Sequence, residues 1–237
     1  MQHFKRWEKK YLITDKQANL LKEAISTQMK PDKFDSYWVQ NIYFDTKNWD
    51  VIHTSMEKPY YKEKMRLRYY CLDNSTPDHV FLELKKKYAG IVYKRRVSLP
   101  LTAVEEDILV ALKEKDSQMA RELGFYLQSK NVYPKMFISY RRQAFAGIEN
   151  QDLRLTFDTD IAYRTHDLHF TKPGVGKEVL PKGYQLMEIK TATSIPLWLA
   201  ELCSKYGIFT SSYSKYATCF LDHCAQIKSE KMVIPHV

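Results

Sequence analysis

The sequence predicts an α+β fold dominated by an antiparallel sheet. Three observations carry this: many short segments rich in aromatic and β-branched residues, few stretches that would serve as parallel crossovers, and short helical patterns interspersed among them. The 237 residues contain only 7 Gly and 9 Pro, with no Gly/Ser- or Pro-rich linker, no internal repeat and no low-complexity tract. A single domain spanning residues 1–237 is expected, and at 44% hydrophobic residues it can bury a substantial core.

Taken in order, Phe4 to Ile13 reads as extended, and Thr14-Asp15 caps a helix running through Leu20, Leu21 and Ile25 to about Met29. Ser36 to Phe44, Lys62 to Tyr70, Val80 to Lys87 and Ile91 to Leu99 read as strands, with Ala89-Gly90 turning a hairpin between the last two. Leu101-Thr102 opens a helix in which Val104, Ile108, Leu109 and Leu112 share a face, with Glu105 and Glu106 expected in its first turn. Asp116 to Leu127 reads as a second helix. Lys135 to Phe145, Leu153 to Asp158 and Tyr184 to Thr191 return to strand character. Pro196 to Tyr206 is a helix closed by Gly207, and a last helix starts at Ser214.

Lys and Arg total 37 against 28 acidic residues, a formal charge of +9. That excess favours an anionic partner. The longest basic runs, Lys85-Lys86-Lys87 and Lys94-Arg95-Arg96, lie inside strand-like segments, which points to a structured site rather than a polybasic tail. No nucleic-acid partner is expected: no paired aromatic stacking motif accompanies the basic strands, and no helix presents a basic recognition face. Cys71, Cys203, Cys219 and Cys224 form no CxxC pair, so they read as free thiols in a reducing compartment. The N-terminus lacks an apolar signal region and no stretch is long enough to span a bilayer, which predicts a cytoplasmic location.

Residues two apart in a strand point the same way. Arg66 and Arg68 therefore share one face, with Met65, Leu67 and Tyr69 on the other. The pattern repeats for Glu83 with Lys85, Glu188 with Lys190, Glu8 with Lys10, Lys94 with Arg96, Tyr140 with Arg142, and Arg154 with Asp158. A half-buried sheet keeps a solvated face where charges belong, and that accounts for any one strand. Two details argue otherwise: the faces are mainly cationic, and Arg, suited to bidentate phosphate contact, is frequent among them. If the sheet closes, these cations lie inside, where a polyanion with a divalent metal would neutralise them and the few carboxylates would hold the metal.

At Glu8-Lys9-Lys10-Tyr11-Leu12-Ile13, Asn41-Ile42-Tyr43-Phe44-Asp45, Met65-Arg66-Leu67-Arg68-Tyr69 and Phe81-Leu82-Glu83-Leu84-Lys85, and on through Lys94-Arg95-Arg96, Ser139 to Phe145, Leu153 to Asp158, Met187-Glu188-Ile189-Lys190 and Ser214-Lys215-Tyr216, the sequence resembles the VTC (vacuolar transporter chaperone) domain. This is the polyphosphate polymerase branch of the triphosphate tunnel metalloenzymes. The resemblance spans about Phe4 to His223 and implies a closed eight-stranded antiparallel β-barrel, or tunnel, with peripheral helices.

It further implies transfer of the γ-phosphoryl of ATP to a growing polyphosphate chain. Arg66, Arg68, Arg154, Lys10 and Lys190 are then expected to act in catalysis. Lys85, Lys94, Arg96, Tyr140, Arg142, Ser214 and Lys215 are expected to bind substrate phosphates. Glu188 is the main expected ligand of Mn²⁺ or Mg²⁺, with Glu8 and Glu83 as further candidates. Many hydrolases of the wider superfamily open with E-x-E-x-K, whereas this chain reads Arg6-x-Glu8-x-Lys10. The lost carboxylate is expected to favour transfer over hydrolysis. Alternatives are a tripolyphosphate or nucleoside triphosphate hydrolase on the same scaffold, and a non-catalytic polyphosphate-binding module, which the presence of Glu188 disfavours.

Overall fold

The computed structural model of the protein describes residues 7–72, 77–89, 91–170 and 173–233, residues 230–233 by their backbone alone. The chain runs β1 (Trp7–Thr14), α1 (Asp15–Ala24), β2 (Met29–Pro31), β3 (Tyr37–Asp45), α2 (Asp50–Met56), β4 (Tyr61–Cys71), β5 (His79–Tyr88) and β6 (Ile91–Pro100). It continues α3 (Leu101–Lys113), α4 (Gln118–Lys130), β7 (Tyr133–Gly147), β8 (Arg154–Arg164), β9 (Lys177–Glu178), β10 (Tyr184–Thr191), α5 (Leu197–Lys205) and α6 (Lys215–Val233). The expected α+β class with a dominant antiparallel sheet is what forms.

Eight strands make one continuous antiparallel path in the order β1-β10-β8-β7-β3-β4-β5-β6, with β2 and β9 pairing onto β7 and β8. The path has two ends: β1 and β6 share no ladder among the described residues, so the expected closed barrel is found as an open sheet. That sheet is nonetheless rolled. Lys85 of β5 reaches Glu8 of β1, near the other end of the path, at 3.5 Å, and Arg68 of β4 donates to the Tyr140 hydroxyl of β7 over the intervening β3 at 3.0 Å. Such contacts require one face of the sheet to be concave.

Alternation along the strands decides which side chains line that face. The outer face carries Ile42, Phe44, Met65, Leu67, Leu82 and Leu84, packed under α3 and α4, and Tyr11, Ile13, Leu155, Phe157, Met187 and Ile189, packed under α1 and α5. The charged positions are left for the inside. A third cluster closes part of the concavity: Val39, Tyr43, Met136, Ile138 and Tyr140 pack against Ile52 of α2 and Tyr216, Cys219 and Phe220 of α6. A bulge between Ser139 and Arg141 in the β7–β8 ladder, where Asp160 takes a left-handed φ of 52°, lets Asp158 and Tyr163 both face this interior.

Local signals explain the element ends. Thr14 and Gln17 form a reciprocal capping box at the start of α1. That helix stops at Ala24 rather than about Met29, because Met29–Pro31 leaves to pair with β7 as β2. Glu105 and Glu106 lie beyond the first turn of α3, which begins at Leu101, and the helix breaks at Asp107, whose φ of −157° is extended. Gly207 takes the expected left-handed C-cap position at φ 63°. Helix α2 is not among the elements expected from the sequence; Asp45 fixes its start, its buried carboxylate accepting from the Val51 and Ile52 amides. The β5–β6 hairpin forms, with Tyr88 opposite Ile91 and Ala89 at φ 48°; Gly90, like Arg6, lies outside the described residues. None of the four cysteines forms a disulfide among the described residues.

Leu82 is fully buried under α3 and α4, whereas Leu72 is 58% exposed. Leu82→Ala is expected to lower unfolding free energy by about 2–5 kcal/mol, and Leu72→Ala by less than about 0.5 kcal/mol, in equilibrium denaturant titrations.

Candidate active site

Cations and carboxylates meet on the concave face in two groups. The first surrounds Glu188 of β10. Lys190 lies two residues along the same strand and donates to one carboxylate oxygen at 2.7 Å, while Lys215, the first residue of α6, donates to the other at 3.1 Å. Lys10, directly opposite in the β1–β10 ladder, is 3.7 Å away, and Arg142 approaches from β7 at 3.7 Å. Lys215 also meets Asp158 at 2.5 Å, and Arg142 binds that carboxylate through two nitrogens at 2.6 and 2.7 Å. Lys10 and Lys85 both contact Glu8, each at 3.5 Å.

The second group surrounds Glu83 of β5. Arg66, its cross-strand neighbour on β4, donates two hydrogen bonds to one oxygen at 2.8 and 3.0 Å. Lys94 and Arg96 of β6 hold the other oxygen at 2.6 Å. Arg68 lies 4.0 Å from Glu83 and is fixed by Asn41, Tyr70 and Tyr140.

Burial would raise each of these carboxyls. At Glu188, however, Lys190, Lys215, Lys10 and Arg142 outweigh burial and hold the group well below the usual carboxylate range. Arg142 and Lys215 do the same for Asp158, and Arg66, Arg68 and Lys94 for Glu83. Glu8, against Lys85, Lys190 and Lys10, is lowered to about 2. The same field acts on the phenols: burial opposes ionisation of Tyr70, yet Arg68 and Arg96 bring it down to about 8, and Tyr140 is lowered by Arg68, Arg142 and Lys215. The face is thus strongly positive even with its own carboxylates ionised.

Of the residues singled out in the sequence, Lys10, Arg66, Arg68, Lys85, Lys94, Arg96, Tyr140, Arg142, Lys190, Lys215, Glu8, Glu83 and Glu188 come together in these two groups. Arg154 lies opposite Lys190 in the β8–β10 ladder but joins none of the pairs above. Ser214 precedes α6 and its hydroxyl accepts from the Ala217 amide at 3.5 Å, a capping position. The three carboxylates expected to hold a metal do not converge: Glu83 sits in its own group, and no set of three or more His, Cys, Asp or Glu side chains forms a metal cage among the described residues. Glu188 and Glu8, bridged by Lys10, remain as neighbouring hard-oxygen donors. Such a pair fits Mg²⁺ or Mn²⁺ where phosphate oxygens complete the shell.

Three residues of the site escaped the sequence reading. Asp158 was seen only as the far end of the Arg154 pattern, yet it anchors Lys215. Asp45 and Tyr216 lie within the Asn41–Asp45 and Ser214–Tyr216 motifs, which assign them no role; the Tyr216 hydroxyl donates to Asp45 at 2.7 Å and its ring stacks on Tyr43 at 4.4 Å, which seats α6 in the concavity.

The model of one family, the VTC domain, matches residues 5–221. The chain belongs to the VTC domain family. No curated protein matches it. Among solved structures, this VTC domain resembles a candidate adenylate cyclase from Bacillus halodurans at 14% identity and a TM-score of 0.51, over 89% of this chain and 95% of that one. A candidate adenylate cyclase from Vibrio parahaemolyticus matches at 11% identity and a TM-score of 0.49, over 92% and 98% of the two chains. The Bacillus likeness places the fold alone.

The carboxyls of Glu83, Glu188 and Asp158 are all lower folded than unfolded, so the stability they contribute is present above the unfolded carboxylate pKa and is lost as pH falls through their folded values. Unfolding free energy is therefore expected to fall steadily on acidification below about pH 4.5. Glu83→Gln should flatten that fall, as read by denaturant titrations across the acid range.

Proposed function

We propose that this VTC domain is a polyphosphate polymerase: it transfers the γ-phosphoryl of ATP to the end of a polyphosphate chain lying along the concave face. One observation carries the reading. Lysines and arginines from β1, β4, β5, β6, β7, β10 and α6 converge on a single interior where they outweigh the carboxylates. A linear polyanion touching successive strands is the ligand whose shape and charge answer that arrangement. Membership of the VTC family supports polyphosphate and nucleotide as its form.

The chemistry asks for little proton transfer. A terminal phosphate oxygen of the chain forms a bond to the γ-phosphorus, the bridging P–O bond breaks, and ADP leaves with the electron pair. The residues must align the two phosphates and stabilise charge spread over the equatorial oxygens. Arg66 and Arg68, held on one strand face by Glu83 and Asn41, offer planar forks for this; Arg154 on β8 is the third candidate. Lys10, Lys190 and Lys215 now neutralise Glu188 and can turn to phosphate, with Arg142 and Tyr140 beside them. Lys85, Lys94 and Arg96 extend the positive surface along β5 and β6. A divalent cation held by Glu188, with Glu8 adjacent, would neutralise charge between neighbouring phosphates when bound.

Incubation with ATP and Mn²⁺, followed by gel electrophoresis and phosphorus NMR, is expected to show lengthening chains and ADP. Glu188→Gln should slow chain growth about 100-fold or more. Release of orthophosphate without chain growth would overturn the polymerase reading in favour of a hydrolase, and a fully active Glu188→Gln would remove the metal assignment.

A further inference from the structure

Lys64 stands apart from the other lysines of the concave face. Lys10, Lys85, Lys94, Lys190 and Lys215 each have a carboxylate within 4 Å. Lys64 has no hydrogen bond or ion pair among the described residues. Its ammonium lies 5.9 Å above the Tyr216 ring of α6, and that phenol is already donating to Asp45. Around it are cations: Lys62 and Arg66 on its own strand, Lys85 directly opposite on β5, and Lys10 from β1. Glu8 of β1 is held by Lys10 and Lys85, and Asp45 by the Tyr216 phenol. Like charges placed opposite each other across a ladder destabilise the sheet. A Lys64–Lys85 pair inside a rolled sheet is therefore an arrangement that a bound anion would relieve.

We propose that Lys64 is a proton-linked phosphate contact: it binds a phosphate of the chain as an ammonium and takes up its proton when that chain arrives. The inference rests on reading the concave face as a phosphate-chain site. Burial, and then Lys62, Lys10, Lys85 and Arg66, bring the Lys64 amine down to about 7, so near neutrality a fraction of the molecules carries it uncharged. A phosphate between Lys64, Lys10 and Lys85 reverses the sign of the local field and restores the charge. The linkage has one direction. The complex holds more protons than the free protein, so affinity is highest below about pH 7 and declines as pH rises from there towards the lysine's value in the complex. Arg66, by contrast, stays charged throughout.

The test is calorimetric titration of long-chain polyphosphate, whose internal phosphates remain ionised, into the full chain in buffers of different ionisation enthalpy. At about pH 7 the wild type is expected to take up protons on binding. Lys64→Met should lose most of that uptake and bind several-fold more weakly at about pH 6, with the difference from wild type closing as pH rises. Lys64→Arg should keep the affinity and lose the uptake. Lys64→Met with wild-type affinity and wild-type uptake would overturn the inference while leaving the phosphate-chain reading intact. A wild type that does not bind polyphosphate would overturn both.

Discussion

Lys215 reaches from the first turn of α6 into the concave face of the sheet, where it meets Asp158 and Glu188 at 2.5 and 3.1 Å. The rest of the molecule depends on pairings of this kind. A rolled sheet whose outer face is apolar must hold its charged residues inside, and cations enclosed together repel unless anions separate them. Asp158 is fully buried and shared between Arg142 of β7 and Lys215 of α6, and Glu83, nearly as buried, is shared among Arg66 of β4 and Lys94 and Arg96 of β6. These carboxylates let the sheet roll without bound ligand. They do not cancel the positive field, as the lowered phenol of Tyr70 shows.

On the proposed function the site must exchange partners, and the same arrangement suits that. Glu188 is gripped by groups from β1, β7, β10 and α6, so an entering phosphate would compete with one carboxylate for all of them. Lysine suits that exchange because its ammonium is a point charge on a flexible stem, whereas the forks of Arg66 and Arg142 are preset by Glu83 and Asp158. The aromatic and carboxylate contacts of Tyr216 with Tyr43 and Asp45 place α6 against the sheet, and with it the position of Lys215.

Much of the sheet was legible because its strands alternate cleanly. Met65, Leu67, Leu82 and Leu84 mark one face, Arg66, Arg68, Glu83 and Lys85 the other, and the structure keeps both assignments. Periodicity could not say which face was inside, since a solvated face and a lumen face carry the same alternation; the rolling is set by helices packing on the apolar side, a tertiary event. The face of Asp158 follows from its alternation with Arg154, but its pairing with Arg142 and Lys215 exists only once β7 and α6 meet β8. Lys64 lay in view, two residues before Arg66, but its lack of a carboxylate partner exists only once β1 and β5 face each other. The division of the carboxylates into a Glu188 group and a Glu83 group is likewise a matter of which strands meet, and sequence order carries no trace of it.

On the proposed function, the charged face is an interior that holds a phosphate chain. A crystal structure of the protein with tripolyphosphate and Mn²⁺ puts this to the test. Phosphates are expected along the concave face, contacting Arg66, Arg68, Lys190 and Lys215, with anomalous scattering from Mn²⁺ beside Glu188. Phosphates confined to the outer surface, with Glu188 still gripped by Lys10, Lys190 and Lys215, would contradict it.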